Sequence, residues 1–167
     1  MRPCELYLVR HAVAAERGDD WPDDTKRPLT AEGASRFRDV VDGLLWFGVG
    51  LDEIFTSPLV RARQTADLLA AGLAEHSPVK TVDELAPGNE VKEVFASLVK
   101  RVKRRRVGIV GHEPELGELA AALVGAPRAL PFRKGGACRI DVDGLDSLRA
   151  GVLIWFLPPK ILRKAGR

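Results

Sequence analysis

The sequence predicts an α/β fold of three layers: a mostly parallel central sheet, helices on both faces and an antiparallel edge. Three observations carry that expectation. Apolar runs of strand length alternate with amphipathic stretches of helical period, the pattern of strand–helix units that build a parallel sheet. Capping residues, prolines and glycines mark the starts and stops of the helical stretches. After Pro127 the alternation gives way to two strand-like runs in succession, "GGACRIDVDG" and "GVLIWFLPP", the pattern of a hairpin at a sheet edge. A chain of 167 residues is expected to form one domain over 1–167, large enough to bury a real core.

The first strand is predicted over 5–9, followed by a polar loop over 16–29 rich in Asp and Pro. Thr30 in "TAEG" reads as an N-cap. The helix after it carries Phe37, Val40, Val41, Leu44 and Leu45 on one face. A second strand is expected over 51–57. Ser57 as cap and Pro58 at the first helical position open a helix with the stripe Ala62, Ala66, Leu69 and Ala70. "VKTVDEL" (79–85) predicts a third, shorter strand, and 90–102 a helix. A fourth strand runs over 106–112, and a helix starts at Pro114 and stops at Gly125.

Composition excludes several classes. No apolar run approaches the roughly 18 residues of a membrane span. The N-terminus shows no basic region followed by an apolar stretch, so no signal peptide is expected. Cys4 and Cys138 read as small core or strand residues of a reducing compartment, which makes the expected setting cytoplasmic. The net charge is only +3. Most of the excess sits in the basic run 100–106 and in the tail "PPKILRKAGR". That run closes an amphipathic helix, where cations complement the C-terminal dipole, and no aromatics are interleaved for base stacking. A nucleic-acid partner is therefore not expected.

The chemistry gathers at strand ends. Arg10 and His11 end the first strand, His112 ends the fourth, and Arg61 lies in the first turn of the helix after the second. Open α/β sheets bind ligands beyond the carboxyl ends of their strands. A histidine beside an arginine is held neutral and can serve as base, metal ligand or nucleophile. Two guanidiniums with nearby helix N-termini suit a phosphoryl group. They would repel a zinc ion held by the two histidines. The reading left is a histidine that attacks phosphorus while arginines neutralise the transition state.

"LVRHA", "SPLVRARQTA" and "VGHEPEL", in this order and spacing, resemble the motifs of the histidine phosphatase superfamily, whose fold is that of phosphoglycerate mutase. The short chain, "RPLT" before the first long helix and "DELAPG" in mid-chain narrow the resemblance to the small phosphohistidine phosphatase (SixA-type) branch. The resemblance implies His11 as the nucleophile that becomes phosphohistidine. It implies Arg10 and Arg61 as the holders of the phosphoryl oxygens, and His112 as a second histidine bonded to the transferring group. It implies no metal and no cofactor. Arg27, just before "PLT", is expected to line an open rim, with a solvated loop arginine as the alternative. His76 follows no motif and reads as a solvated helix end.

Two departures matter. Ala12 stands where the superfamily has glycine, so position 12 is expected at negative φ, with its methyl narrowing the pocket floor. The mid-chain insertion that carries the acid of mutase relatives is absent. Glu113, directly after His112, is then a candidate general acid, equally readable as a residue favoured by a helix dipole, with Glu84 as the fallback. Phosphohistidine needs little acid help, because imidazole leaves readily near pH 7. The expected partner is thus a phosphorylated protein, such as a histidine-phosphorylated signalling or phosphotransfer protein. A small phosphorylated metabolite or nucleotide is the alternative, and a non-catalytic phosphoprotein-binding module a third reading.

Overall fold

The computed structural model describes residues 3–74 and 76–167. Six strands form one sheet: β1 (Cys4–Arg10), β2 (Glu53–Thr56), β3 (Val79–Thr81), β4 (Arg106–Gly111), β5 (Ala137–Val142) and β6 (Val152–Leu157). Their order is β3-β2-β4-β1-β5-β6. The β1–β4, β2–β4 and β2–β3 pairs are parallel, while β5 runs antiparallel to both β1 and β6. The mostly parallel sheet with an antiparallel edge is as the sequence predicts. Among the described residues, no helix is long and apolar enough to cross a membrane.

Alternation along β1 divides the core. Leu6 and Leu8 face a cluster built with Val94, Leu98, Leu116 and Leu119, from α3 (Val91–Arg101) and α4 (Glu115–Val124). Tyr7 and Val9 face the opposite way, toward Phe37, Val41 and Leu69 of α1 (Ala31–Trp46) and α2 (Val60–Gly72). The strand therefore buries both faces, which is why it reads as an almost unbroken apolar run. Cys4 and Cys138 are free and buried, as expected of core thiols.

Local signals set most boundaries. The Thr30 hydroxyl accepts from Gly33 N–H at 2.9 Å and caps α1. Gly33 itself admits no side chain, since a Cβ there would collide with the Val13 carbonyl. That contact lays the first turn of α1 directly on the backbone that follows His11. A capping box between Glu90 and Glu93 starts α3, and Gly125 in the left-handed region (φ 72°) ends α4.

The structure departs from expectation in five places. Leu45 is 38% exposed, because α1 turns its Phe37–Leu44 stripe to the sheet and carries Leu45 past it. Ser57 is not a helix cap; α2 begins at Val60 with Leu59 as the capping position. The third strand ends at Thr81, and 83–85 form a 3-10 turn. A 3-10 turn, Asp24–Lys26, interrupts the polar loop. The basic tail forms α5 (Pro159–Ala165), which packs on α1 through buried Leu162. His76 is exposed beyond the end of α2, as expected.

The basic run lies at the amino end of β4. Arg105 approaches Glu5 at 3.6 Å, and Arg106 grips Asp52 with its side chain at 2.8 Å and its backbone at 2.9 Å. A wide groove there, lined by Pro3, Asp52, Lys103 and Arg104 among others, is on the far edge of the sheet from Arg10 and His11.

Candidate active site

Sheet order explains why residues distant in the chain meet. β2, β4 and β1 are adjacent, so their carboxyl ends deliver Arg61, His112 and the Arg10–His11 pair to one place. The two imidazole centroids are 5.1 Å apart, with the rings tilted 52°. His11, Arg61 and His112 are buried at the floor of the site.

Each side chain is held by a bond that also fixes what it can do. Nδ1 of His11 lies 2.7 Å from the Ala12 carbonyl. A carbonyl only accepts, so Nδ1 carries the proton and Nε2 keeps a free lone pair. The Ala12 N–H donates to Thr65 Oγ1 at 3.0 Å, and that hydroxyl donates to the Arg61 carbonyl at 2.8 Å. Ala12 is not at positive φ, and its methyl is buried in the core on the α1 side, with Tyr7, Val9 and Phe37.

His112 is ordered by Ser57. Nε2 lies 2.8 Å from Ser57 Oγ, which already accepts the Leu59 N–H at 3.2 Å. When the hydroxyl donates its hydrogen to Nε2, the ring proton sits on Nδ1. That Nδ1 is buried and has no hydrogen-bond partner among the described residues.

The arginines show the same pattern. Arg10 donates through one terminal nitrogen to the Phe132 carbonyl at 2.8 Å. Arg61 donates to the Asp24 carbonyl at 2.9 Å and to its carboxylate at 3.0 Å. In both guanidiniums Nε is buried and unpartnered among the described residues. Three orphan donor atoms therefore belong to the three side chains around His11. An orphan buried donor is costly unless a ligand fills it.

Electrostatics keep both histidines neutral. Burial pushes the His11 pKa down to about 4, helped by Arg61, Arg10 and Lys134. Burial, His11 and the same two arginines bring His112 to about 3. The flanking arginine read from sequence thus contributes, but desolvation is the larger cause. Both values lie below the unperturbed 6.5, so the neutral imidazoles stabilise the fold fully above pH 6.5. That stability drains as pH falls from 6.5 toward 4. The urea midpoint should therefore drop between pH 7 and 5, and His11→Gln, which cannot titrate, should flatten the drop. A midpoint level across that interval would contradict the assignment.

Glu113 sits at the rim of this floor. Its carboxylate accepts the Gly117 N–H at 2.8 Å. Burial raises its pKa, while the Gly117 bond and Arg10 act in the opposite direction and only partly offset it. Glu84 turns elsewhere, 3.7 Å from Arg101 of α3. Arg27 is buried rather than on an open rim. It donates to Asp24 at 2.9 Å and to the Ala15 carbonyl at 2.8 Å. Asp24 thereby joins Arg27 and Arg61. Burial alone would raise its carboxyl, but Arg27 and Arg61 outweigh it and hold the pKa below the usual range. Sequence reasoning missed Asp24, Ser57 and Thr65. Ser57 and Thr65 lie within the quoted "SPLVRARQTA" and Asp24 just before "RPLT", but what each contacts is set by the tertiary fold.

The family model for the histidine phosphatase superfamily (branch 1) matches residues 6–90, half of the chain. The chain belongs to the histidine phosphatase superfamily. An uncharacterized protein of Picosynechococcus sp. is 42% identical over 150 residues, covering 88% of this chain and 86% of that protein. The phosphohistidine phosphatase SixA of Escherichia coli is 27% identical over 163 residues, covering 96% and 98%. The solved structure of the protein histidine phosphatase SixA complexed with tungstate superposes with a TM-score of 0.83 at 26% identity. It covers 95% of this chain and 99% of that one. Within the superfamily this histidine phosphatase is thus of the SixA type.

Proposed function

We propose that the protein is a phosphatase that removes the phosphoryl group from phosphohistidine in a protein, by way of a phosphohistidine on its own His11. The carrying observation is the trio of buried, unpartnered donors: Arg10 Nε, Arg61 Nε and His112 Nδ1. Three donors suit the three peripheral oxygens of a transferring phosphoryl group. The tungstate bound by the SixA relative is an oxyanion of similar charge and shape, which supports the same reading.

The chemistry follows from the tautomers. Nε2 of His11 attacks phosphorus as the bond to the leaving group breaks. His11 becomes a phosphorylated imidazolium, since Nδ1 keeps its proton, and the Ala12 carbonyl stabilises that charge. The leaving imidazole takes up one proton from solvent at the nitrogen it frees, and the attacking water later returns one. Water then attacks phosphorus, His11 regains its lone pair, and phosphate departs carrying the water's oxygen. The donors gain strength as the oxygens gain charge, and being fixed they need little reorganisation.

A hydrolysis panel tests the substrate. A phosphohistidine peptide should be turned over with a higher kcat/KM than sugar phosphates or nucleotides. The reverse ranking would favour a small phosphorylated metabolite.

A further inference from the structure

One cation at the site has no part in the chemistry above. Lys134 occupies the first corner of a four-residue turn, Arg133–Gly136, closed by a bond from Gly136 N–H to the Arg133 carbonyl at 2.8 Å. Gly135 takes the second corner at φ 79°, which type II turns require and side chains resist. The same Gly135 N–H lies 3.1 Å from both the Arg10 and His11 carbonyls. The turn is thus bolted to the backbone of the nucleophile, and the exposed Lys134 is near enough for its charge to act on His11.

The charges that act on Lys134 are cationic: Arg10, Arg27, Arg17 and Arg61. It is exposed and makes no hydrogen bond or ion pair with the described residues. Partial burial, then Arg10, Arg27, Arg17 and Arg61, all lower its pKa. Asp24, the carboxylate among Arg17, Arg27 and Arg61, is committed: Arg27 lies at 2.9 Å, Arg61 at 3.0 Å and Arg17 at 3.5 Å. A phosphoryl group would meet Arg10 and Arg61. Lys134 would still make no ion pair with the described residues, and the exposed Arg17 guanidinium is only loosely engaged, 3.5 Å from Asp24.

We propose that Lys134, together with Arg17, forms a second anion subsite next to the phosphoryl cradle. It takes an acidic group, a carboxylate or a second phosphate, that the substrate carries close to its phosphoryl group. The proposal deepens the phosphatase reading and rests on it. On a protein substrate the acidic group would be an Asp or Glu beside the phosphorylated histidine. A cation held among like charges gains more from an added anion than an isolated surface lysine does.

Non-hydrolysable probes separate this idea from turnover. Calorimetry would compare methylphosphonate, with one anionic group, against phosphonoacetate and methylenediphosphonate, which add a carboxylate or a second phosphonate. At least one two-anion probe should bind the wild type about tenfold more tightly than methylphosphonate. Lys134→Gln should remove most of that increment, and Lys134→Arg should keep it. Which probe shows the increment distinguishes an acidic side chain from a second phosphate as its natural source. No increment in the wild type, or one that survives Lys134→Gln, overturns the subsite. Because binding is the readout, that result would leave the phosphatase reading standing, and absent turnover of every phosphorylated substrate would refute only the latter.

Discussion

His11→Ala will lower kcat/KM for every substrate by about 10⁴-fold or more, the scale on which an enzyme loses its nucleophile. The loss is large because no neighbour can substitute. His112 is the other imidazole within reach, but its Nε2 is engaged with Ser57 and its protonated Nδ1 is a donor, not a lone pair. During wild-type turnover, quenching without acid should trap an acid-labile, alkali-stable phosphoryl group on His11. The variant should fold, because Arg10, Arg61 and His112 are anchored independently by Phe132, Asp24 and Ser57. Circular dichroism checks that point. Activity above about a tenth of wild type in a folded variant would refute the covalent route.

The second large effect concerns Glu113, and its size should depend on the leaving group. An alkoxide cannot depart without a proton, and a carboxyl raised by burial can supply one. Glu113→Gln should slow an alkyl phosphate by roughly 10²–10⁴-fold. Aryl phosphate and phosphohistidine, whose leaving groups need less help, should lose far less. The glutamine can still accept the Gly117 N–H, so the start of α4 stays intact. A uniform, small loss across the series would reduce Glu113 to that capping bond. The same series on Glu84→Gln should show no trend, because Glu84 faces Arg101.

What was legible in the sequence was legible because it is local or periodic. The β1 run, the α1 stripe from Phe37 to Leu44 and the Thr30 cap each follow from neighbouring residues. The motifs placed Arg10, His11, Arg61 and His112 at strand ends, and the sheet brings those ends together. The misreadings share a cause. Ser57 before Pro58 carries a strong local helix-start signal, yet its hydroxyl is claimed by His112, a partner 55 positions away. Asp24–Lys26 looks like featureless polar loop, because what gives it form is a pair of arginines, one of them on α2. The seven residues of α5 are too short to show a convincing period, and the helix is held by packing on α1.

The order of the strands also bears on how the site comes into being. β1 pairs with β4 from Glu5 to Arg106 onward, so the floor that holds His11 beside His112 closes a loop of about a hundred residues. Local helices can form before that closure, but the cradle cannot. Parallel pairings between such distant segments form slowly, because their entropy is lost before their contacts are gained. A refolding chain should therefore regain most of its helical signal ahead of any catalytic competence, and the return of activity marks the moment the centre of the sheet locks.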